Sequence, residues 1–175
     1  MTTPHSASPV PPAAEAPDRS RDYDAVVERL EASALGGATL DIRMQTVVDA
    51  LWEAFSAEGY SWVGFYIADE SAPESERLVL AARRDKPACS PIGLHGVCGR
   101  GYATRATVIV RDVFDLGEAY VACDPRDRSE IVLPIFEDGN CIGVLDVDSW
   151  EIGSFTERDE AGLLRVLRAA GFGTA

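Results

Sequence analysis

The chain has 175 residues, 46% of them hydrophobic, and a formal net charge of −13. That length suits one domain able to bury roughly 70% of the surface its unfolded chain would expose, without disulfide staples. The acidic balance argues against nucleic acid as a partner, because it repels phosphate backbones, and no stretch approaches the ~20 apolar residues of a membrane helix.

The first segment, "MTTPHSASPVPPAAEAPDRS", is rich in Pro, Ala and Ser and has no apolar core of signal-peptide type. It reads as a disordered tail over residues 1–20, ahead of a single domain over 21–175. A cytoplasmic location is the expectation that follows. In that compartment four cysteines point to catalytic, redox or metal chemistry ahead of structural disulfides.

Helical spacing of Tyr23, Val26, Val27 and Leu30 predicts a first helix ended by Gly36-Gly37. A second helix is expected from an Asp41 cap, with Met44, Val47, Val48, Leu51 and Phe55 on its buried face and Gly59 closing it. "WVGFYIA" (62–68) is aromatic and β-branched and predicts a strand. "ESAPESE" reads as a turn and "RLVLAA" (77–82) as the next strand. Residues 83–106 form a long irregular stretch with one short helix after Gly96. "TVIVRDV" (107–113) is a third strand, and 114–129 is a polar loop. "EIVLPIF" and "CIGVLDVDS" pair as a hairpin across "EDGN". A final helix over 157–170, capped by Thr156, points Leu163, Leu164 and Leu167 at the core. Helices on a largely antiparallel sheet make the class α+β.

Two long loops in a small domain are where function concentrates. Three cysteines sit in them: Cys89 in "DKPACSP", Cys98 in "GVCGRG" and Cys123 in "VACDPRDRSE". Their Gly, Pro and charged neighbours differ from the apolar surroundings of a structural thiol. Cys141 begins a strand and reads as a small core or edge residue. A metal site of Cys89, His95, Cys98 and Cys123 matches no common zinc spacing, and His95 reads as a solvated loop residue. Thiol redox chemistry, with one nucleophile and one or two resolving thiols, fits the three better. Cys98, at the start of a short helix, gains from the dipole a lowered pKa. Cys123 has Asp124 beside it, offset by Arg126 and Arg128. The residues alone leave the choice of nucleophile open.

"SWVGFY", "KPAC", "GVCG", "ACD…SEIVLP" and "GVLDVDS" follow in that order. Together, over roughly residues 22–172, they resemble the free methionine-(R)-sulfoxide reductases, a catalytic branch of the GAF fold. The resemblance implies a six-stranded antiparallel sheet with helices packed on one face and a loop-covered pocket on the other. It implies Cys123 as nucleophile and Cys89 and Cys98 as resolving thiols. Trp62 becomes a pocket aromatic, and Glu130, Asp146 and Asp148 become the acids that hold the substrate. The implied partners are free methionine sulfoxide and thioredoxin as reductant, with a homodimer left open and no metal or organic cofactor. Two departures stand out. The Cys89–Cys98 segment is one residue shorter than the family's pattern. "CDPRDRSE" replaces a small, polar stretch, so that Pro125 removes a backbone N–H while Arg126 or Arg128 offers a compensating charge.

Asp146 and Asp148, spaced i, i+2 on a strand, project to one face, and Glu130 starts the partner strand. The resemblance makes the substrate a free amino acid, whose ammonium would pair with these acids; a peptide-bound sulfoxide, with an amide there, would leave them unpaired. Glu130 or Asp146 would serve as general acid. Two other readings remain: a non-catalytic GAF module that senses a small ligand, and a thiol redox sensor. The first is disfavoured by three loop thiols and by the lack of chain length for an output domain.

Overall fold

The computed structural model describes residues 20–119 and 123–173. The expected tail, Ser20 apart, lies outside them. Five strands make the sheet: β1 (Trp62–Ala68), β2 (Leu78–Arg84), β3 (Val108–Val110), β4 (Ser129–Glu137) and β5 (Asn140–Ser149). Their order is β2-β1-β5-β4-β3, and every neighbouring pair is antiparallel. The six strands implied by the resemblance are therefore five among the described residues. Asp138 and Gly139, both at positive φ (49° and 79°), turn β4 into β5. An Asp-Gly pair of this kind matches the right-handed twist of the flanking strands.

Four helices accompany the sheet: α1 (Tyr23–Ala32), α2 (Leu40–Phe55), α3 (Val97–Thr104) and α4 (Glu157–Ala169). Thr156 caps α4 in a reciprocal capping box with Asp159, as its position suggests. The α2 cap differs from expectation. Thr39, two residues earlier than Asp41, accepts the Ile42 N–H, because the helix begins at Leu40. Asp41 lies in the first turn, where its charge favours the helix dipole.

Strand alternation sorts the interior into two layers. Val63 and Phe65 of β1, Ile131, Leu133 and Ile135 of β4, and Leu145 and Val147 of β5 form one core with Leu30, Val47, Leu51, Leu163 and Leu167 from α1, α2 and α4. The opposite face carries Trp62, Tyr66, Val132 and Val144, packed against Val97 and Cys98 of α3. Three helices thus cover one face, while α3 and the long loops cover the other. Among the described residues no helix is long and apolar enough to cross a membrane.

Candidate active site

Register places the acids. Across β4 and β5, Glu130 lies directly opposite Asp148 and Val132 opposite Asp146; across β1 and β5, Asp146 meets Gly64 and Asp148 meets Trp62. Period-two alternation then puts Glu130, Asp146 and Asp148 on the α3 side of the sheet. One carboxylate oxygen from each lies within 4.8 Å of the others. Glu130 and Asp146 are each only 6% exposed, and Asp148 is half-buried. Glu130 Oε1 and Asp146 Oδ1 are buried with no hydrogen-bond partner.

Like charges facing each other away from water favour protonation. Burial, reinforced by Asp146 and Asp127, pushes the Glu130 carboxyl well above its ordinary range. Burial with the same neighbours and Glu130 does so for Asp148. Asp146 is pushed from 3.8 to about 7 by burial, against a hydrogen bond from Cys98 that favours its charge.

The floor is aromatic. Trp62 and Tyr66, on the same face of β1, have ring centroids 6.1 Å apart. Between them a Cβ at Gly64 would come within 2.4 Å of the Trp62 ring, so only glycine lets the indole lie over the strand. Trp62 Nε1 donates to the Lys86 carbonyl at 3.0 Å, and the Tyr66 hydroxyl donates to the Cys89 carbonyl at 2.9 Å. The segment 85–96 is further pinned by paired bonds between Leu78 and Ile92 (3.0 and 2.8 Å). Gly99 and Gly101 let α3 settle close to Leu94 and Val132.

These elements enclose a cavity of about 210 Å³. Cys89, Cys98, Cys123, Trp62, Glu130, Asp146 and Asp148, the seven site residues expected from sequence, all line it. Cys123 and Cys89 are exposed, whereas Cys98 is buried. Cys141 is half-buried against the carbonyls of Tyr102 and Gly143, outside the lining. His95 is exposed at the rim.

The thiols correct one expectation. Cys98 does stand in the first turn of α3, but its thiol is pushed well above its ordinary range, not lowered. Burial dominates, and Asp146 and Glu130 add to it; the Sγ donates to Asp146 Oδ2 at 3.2 Å. Cys123, although its residue surface is exposed, is pushed up to about 12 by partial desolvation of the thiol under the surrounding loops and by the neighbouring Cys89 thiol.

Arg126 and Arg128 do not line the cavity; each is paired with a carboxylate of its own. Arg126 forks onto Asp124 (3.1 and 2.8 Å) and stacks 4.3 Å over Trp150. Arg128 pairs with Asp112 at 2.8 Å and covers Phe114. The loop's amides are also engaged: Arg126 N–H bonds the Asp124 carboxylate, Asp127 N–H the Asp124 carbonyl and Arg128 N–H the Ser149 carbonyl. Lys86 Nζ completes the set by pairing with Asp124, tying the Cys89 loop to the Cys123 loop.

Sequence reasoning missed Asp127 and Tyr66. Asp127 is 3% exposed, lines the cavity, and accepts a hydrogen bond from Ser61 Oγ at 3.0 Å; burial raises its pKa. In "DPRDRSE" it looks like one charge among five. Its three-residue separation from Glu130 across the loop-to-strand junction is the only trace. Tyr66 had a signal in the sequence, since strand alternation puts it on the face of Trp62.

The sequence matches the GAF domain family over residues 37–173. It is 38% identical to GAF domain-containing protein A of Dictyostelium discoideum over 151 residues, 86% of this chain and 90% of that one. It is 39% identical to the free methionine-R-sulfoxide reductase of Escherichia coli over 109 residues, 61% of this chain and 62% of that one. Its fold matches the X-ray structure of free methionine-R-sulfoxide reductase from Neisseria meningitidis in complex with its substrate. The TM-score is 0.75 and the identity 37%, covering 85% of each chain.

Proposed function

The chain belongs to the free methionine-(R)-sulfoxide reductase family of GAF-domain proteins and is an oxidoreductase acting on sulfur groups; on that premise we propose that Cys123 reduces free methionine-(R)-sulfoxide while the acids of β4 and β5 hold its ammonium. The observation that carries this reading is the meeting of three thiols and four carboxylates in one cavity with an aromatic floor. An ammonium supplies what Glu130 Oε1 and Asp146 Oδ1 lack, and it relieves their repulsion. The indole of Trp62 packs against the methyl sulfoxide end of the substrate.

In the first step Cys123 sulfur attacks the sulfoxide sulfur. The attack forms an S–S bond; the oxygen then passes to Cys123 as the S–O and S–S bonds to the substrate sulfur both break, leaving a sulfenic acid on Cys123 and free methionine. The reaction Cys–SH + R₂SO → Cys–SOH + R₂S conserves protons overall, so the acid that protonates the departing oxygen recovers its proton from the thiol. Glu130 suits that role, because burial and its acidic neighbours raise its pKa and one ammonium cannot neutralise four carboxylates. Cys89 then condenses with the sulfenic acid, forming a disulfide and releasing water. Its exposure beside Cys123 at the mouth of the cavity supports it over Cys98, which is buried and committed to Asp146. Exchange with thioredoxin restores both thiols.

Counting thiols in the reduced protein before and after free methionine-(R)-sulfoxide, with methionine quantified alongside, tests the scheme. Two thiols lost per methionine formed is the expected result, with neither event in Cys123→Ser. Intact thiols would indicate a binding module instead. Loss under peroxide but not under sulfoxide would indicate a redox sensor.

A further inference from the structure

In the reaction proposed above, Cys89 and Cys123 carry the electrons, which leaves the Cys98 thiol without a redox role. Its surroundings give it a different one. Cys98 is 7% exposed in the first turn of α3, and its Sγ donates to Asp146 Oδ2 at 3.2 Å. Close packing of the helix on the sheet sets this contact. Asp146 lies opposite Val132 of β4, and α3 rests on Val132 at Gly101, where a Cβ would come within 2.8 Å of Val132 Cγ1. Burial, Asp146 and Glu130 push the Cys98 thiol well above its ordinary range, so near neutral pH it is an S–H donor. The thiol thus engages one oxygen of the Asp146 carboxylate, while the other, Oδ1, is buried with no partner.

We infer that Cys98 is a positioning residue: its S–H fixes the Asp146 carboxylate and favours its charged form, ready for the substrate's ammonium. The inference rests on the ammonium reading above. Acids crowd Asp146: Glu130 from β4, Asp148 from its own strand and Asp127 from the loop before β4. Cys123 of that loop and Tyr66 of β1 also face it with ionisable groups, while the cations Arg100 and Lys86 act on Glu130 and Asp148. Burial pushes Asp146 up, and the Cys98 S–H, followed by the Val147 N–H, pulls it back. A hydrogen bond to the charged form stabilises it over the neutral one. A neutral donor suits this place, because a lysine or arginine there would supply the positive charge that the substrate brings.

The test reads the Kd of free methionine-(R)-sulfoxide by calorimetry from pH ~5 to ~8.5. It uses the full-length Cys123→Ser protein, which holds the substrate without reducing it, with Cys98 intact or carrying Cys98→Ala or Cys98→Ser, and folding checked by circular dichroism. With Cys98 intact, affinity should rise with pH through about 7 as Asp146 ionises. Cys98→Ala should weaken binding about three- to tenfold near pH ~7, move the rise upward by about half to one pH unit, and lose its effect toward pH ~8.5. Cys98→Ser, whose hydroxyl donates, should bring both affinity and profile back to within about twofold. Loss by one factor at every pH in both variants is the mark of a purely structural role and overturns the inference. With Cys123 restored, Cys98→Ser should still lose two thiols per methionine formed; loss of one would make Cys98 an electron carrier and overturns it equally. A rising profile left in place by Cys98→Ala overturns this inference alone, whereas affinity that ignores pH in all three proteins contradicts the ammonium reading and this inference with it.

Discussion

Asp146→Asn separates the cost of the acid cluster from its use. The native carboxyl sits among Cys98, Asp148 and Glu130 and titrates at about 7 instead of 3.8. A raised carboxyl pKa means that the folded chain binds the proton more tightly than the unfolded one. Stability is therefore full below pH ~4 and falls as pH climbs through 7. Displacement from 3.8 to about 7 corresponds to at most about 4 kcal/mol lost above pH 7. Asparagine keeps the shape and an acceptor for the Cys98 S–H but cannot ionise. In urea denaturation from pH ~4 to ~9, the native protein should lose stability steeply and the variant much less. At pH ~8 the variant should melt several degrees higher, given roughly 2–4 °C per kcal/mol for a chain of this size. Its kcat/KM for free methionine-(R)-sulfoxide should fall about 10- to 150-fold, the value of a charge-assisted hydrogen bond of ~1.5–3 kcal/mol. Parallel stability profiles in the two proteins would refute the buried-acid reasoning, and an unchanged kcat/KM would refute the assignment to the ammonium.

Other consequences follow from the same geometry. Asp124→Asn weakens the tie between Lys86 and the Cys123 loop; because Asp124 is buried and accepts from both Lys86 and Arg126, stability should fall by about 1–3 kcal/mol, while rapid-quench mass spectrometry should show several-fold slower Cys89–Cys123 disulfide formation. Gly64→Ala drives a methyl group into the Trp62 indole, which should cost about 1–3 kcal/mol in denaturant unfolding and raise KM. Alkylation of Cys123 in the empty protein should still be accelerating near pH ~10, where an unperturbed thiol has levelled off; a plateau near pH ~9 would show that its environment is wetter than the geometry implies.

Most of the architecture was legible because local rules agreed with tertiary ones. The Asp-Gly turn, the alternating strands and the Thr156 cap each have a physical signal within a few residues. Asp146 and Asp148 were legible for the same reason: spacing of two on a strand forces a shared face, and an apolar strand carrying two acids on one side needs a partner for them. What failed depended on burial. The α3 N-terminus predicted an acidic Cys98 thiol, but sequence does not reveal that Asp146 lies across from it, and desolvation outweighs a short helix dipole. Arg126 and Arg128 both read as offsetting Asp124, and Arg126 does pair with it, whereas Arg128 pairs with Asp112, a partner distant in sequence. Asp127 was hidden between Arg126 and Arg128, which lie outside the cavity lining while its own side chain is buried in it.

The central claim is that buried carboxylates recognise the substrate's ammonium and thereby admit the free amino acid. Its most direct measurement is kcat/KM for free methionine-(R)-sulfoxide against the N-acetylated R-sulfoxide, in an assay coupled to NADPH oxidation through thioredoxin and its reductase. The account predicts turnover of the free amino acid and a loss of roughly two or more orders of magnitude on acetylation, since two buried oxygens then go unpaired. Equal turnover of the two would contradict it.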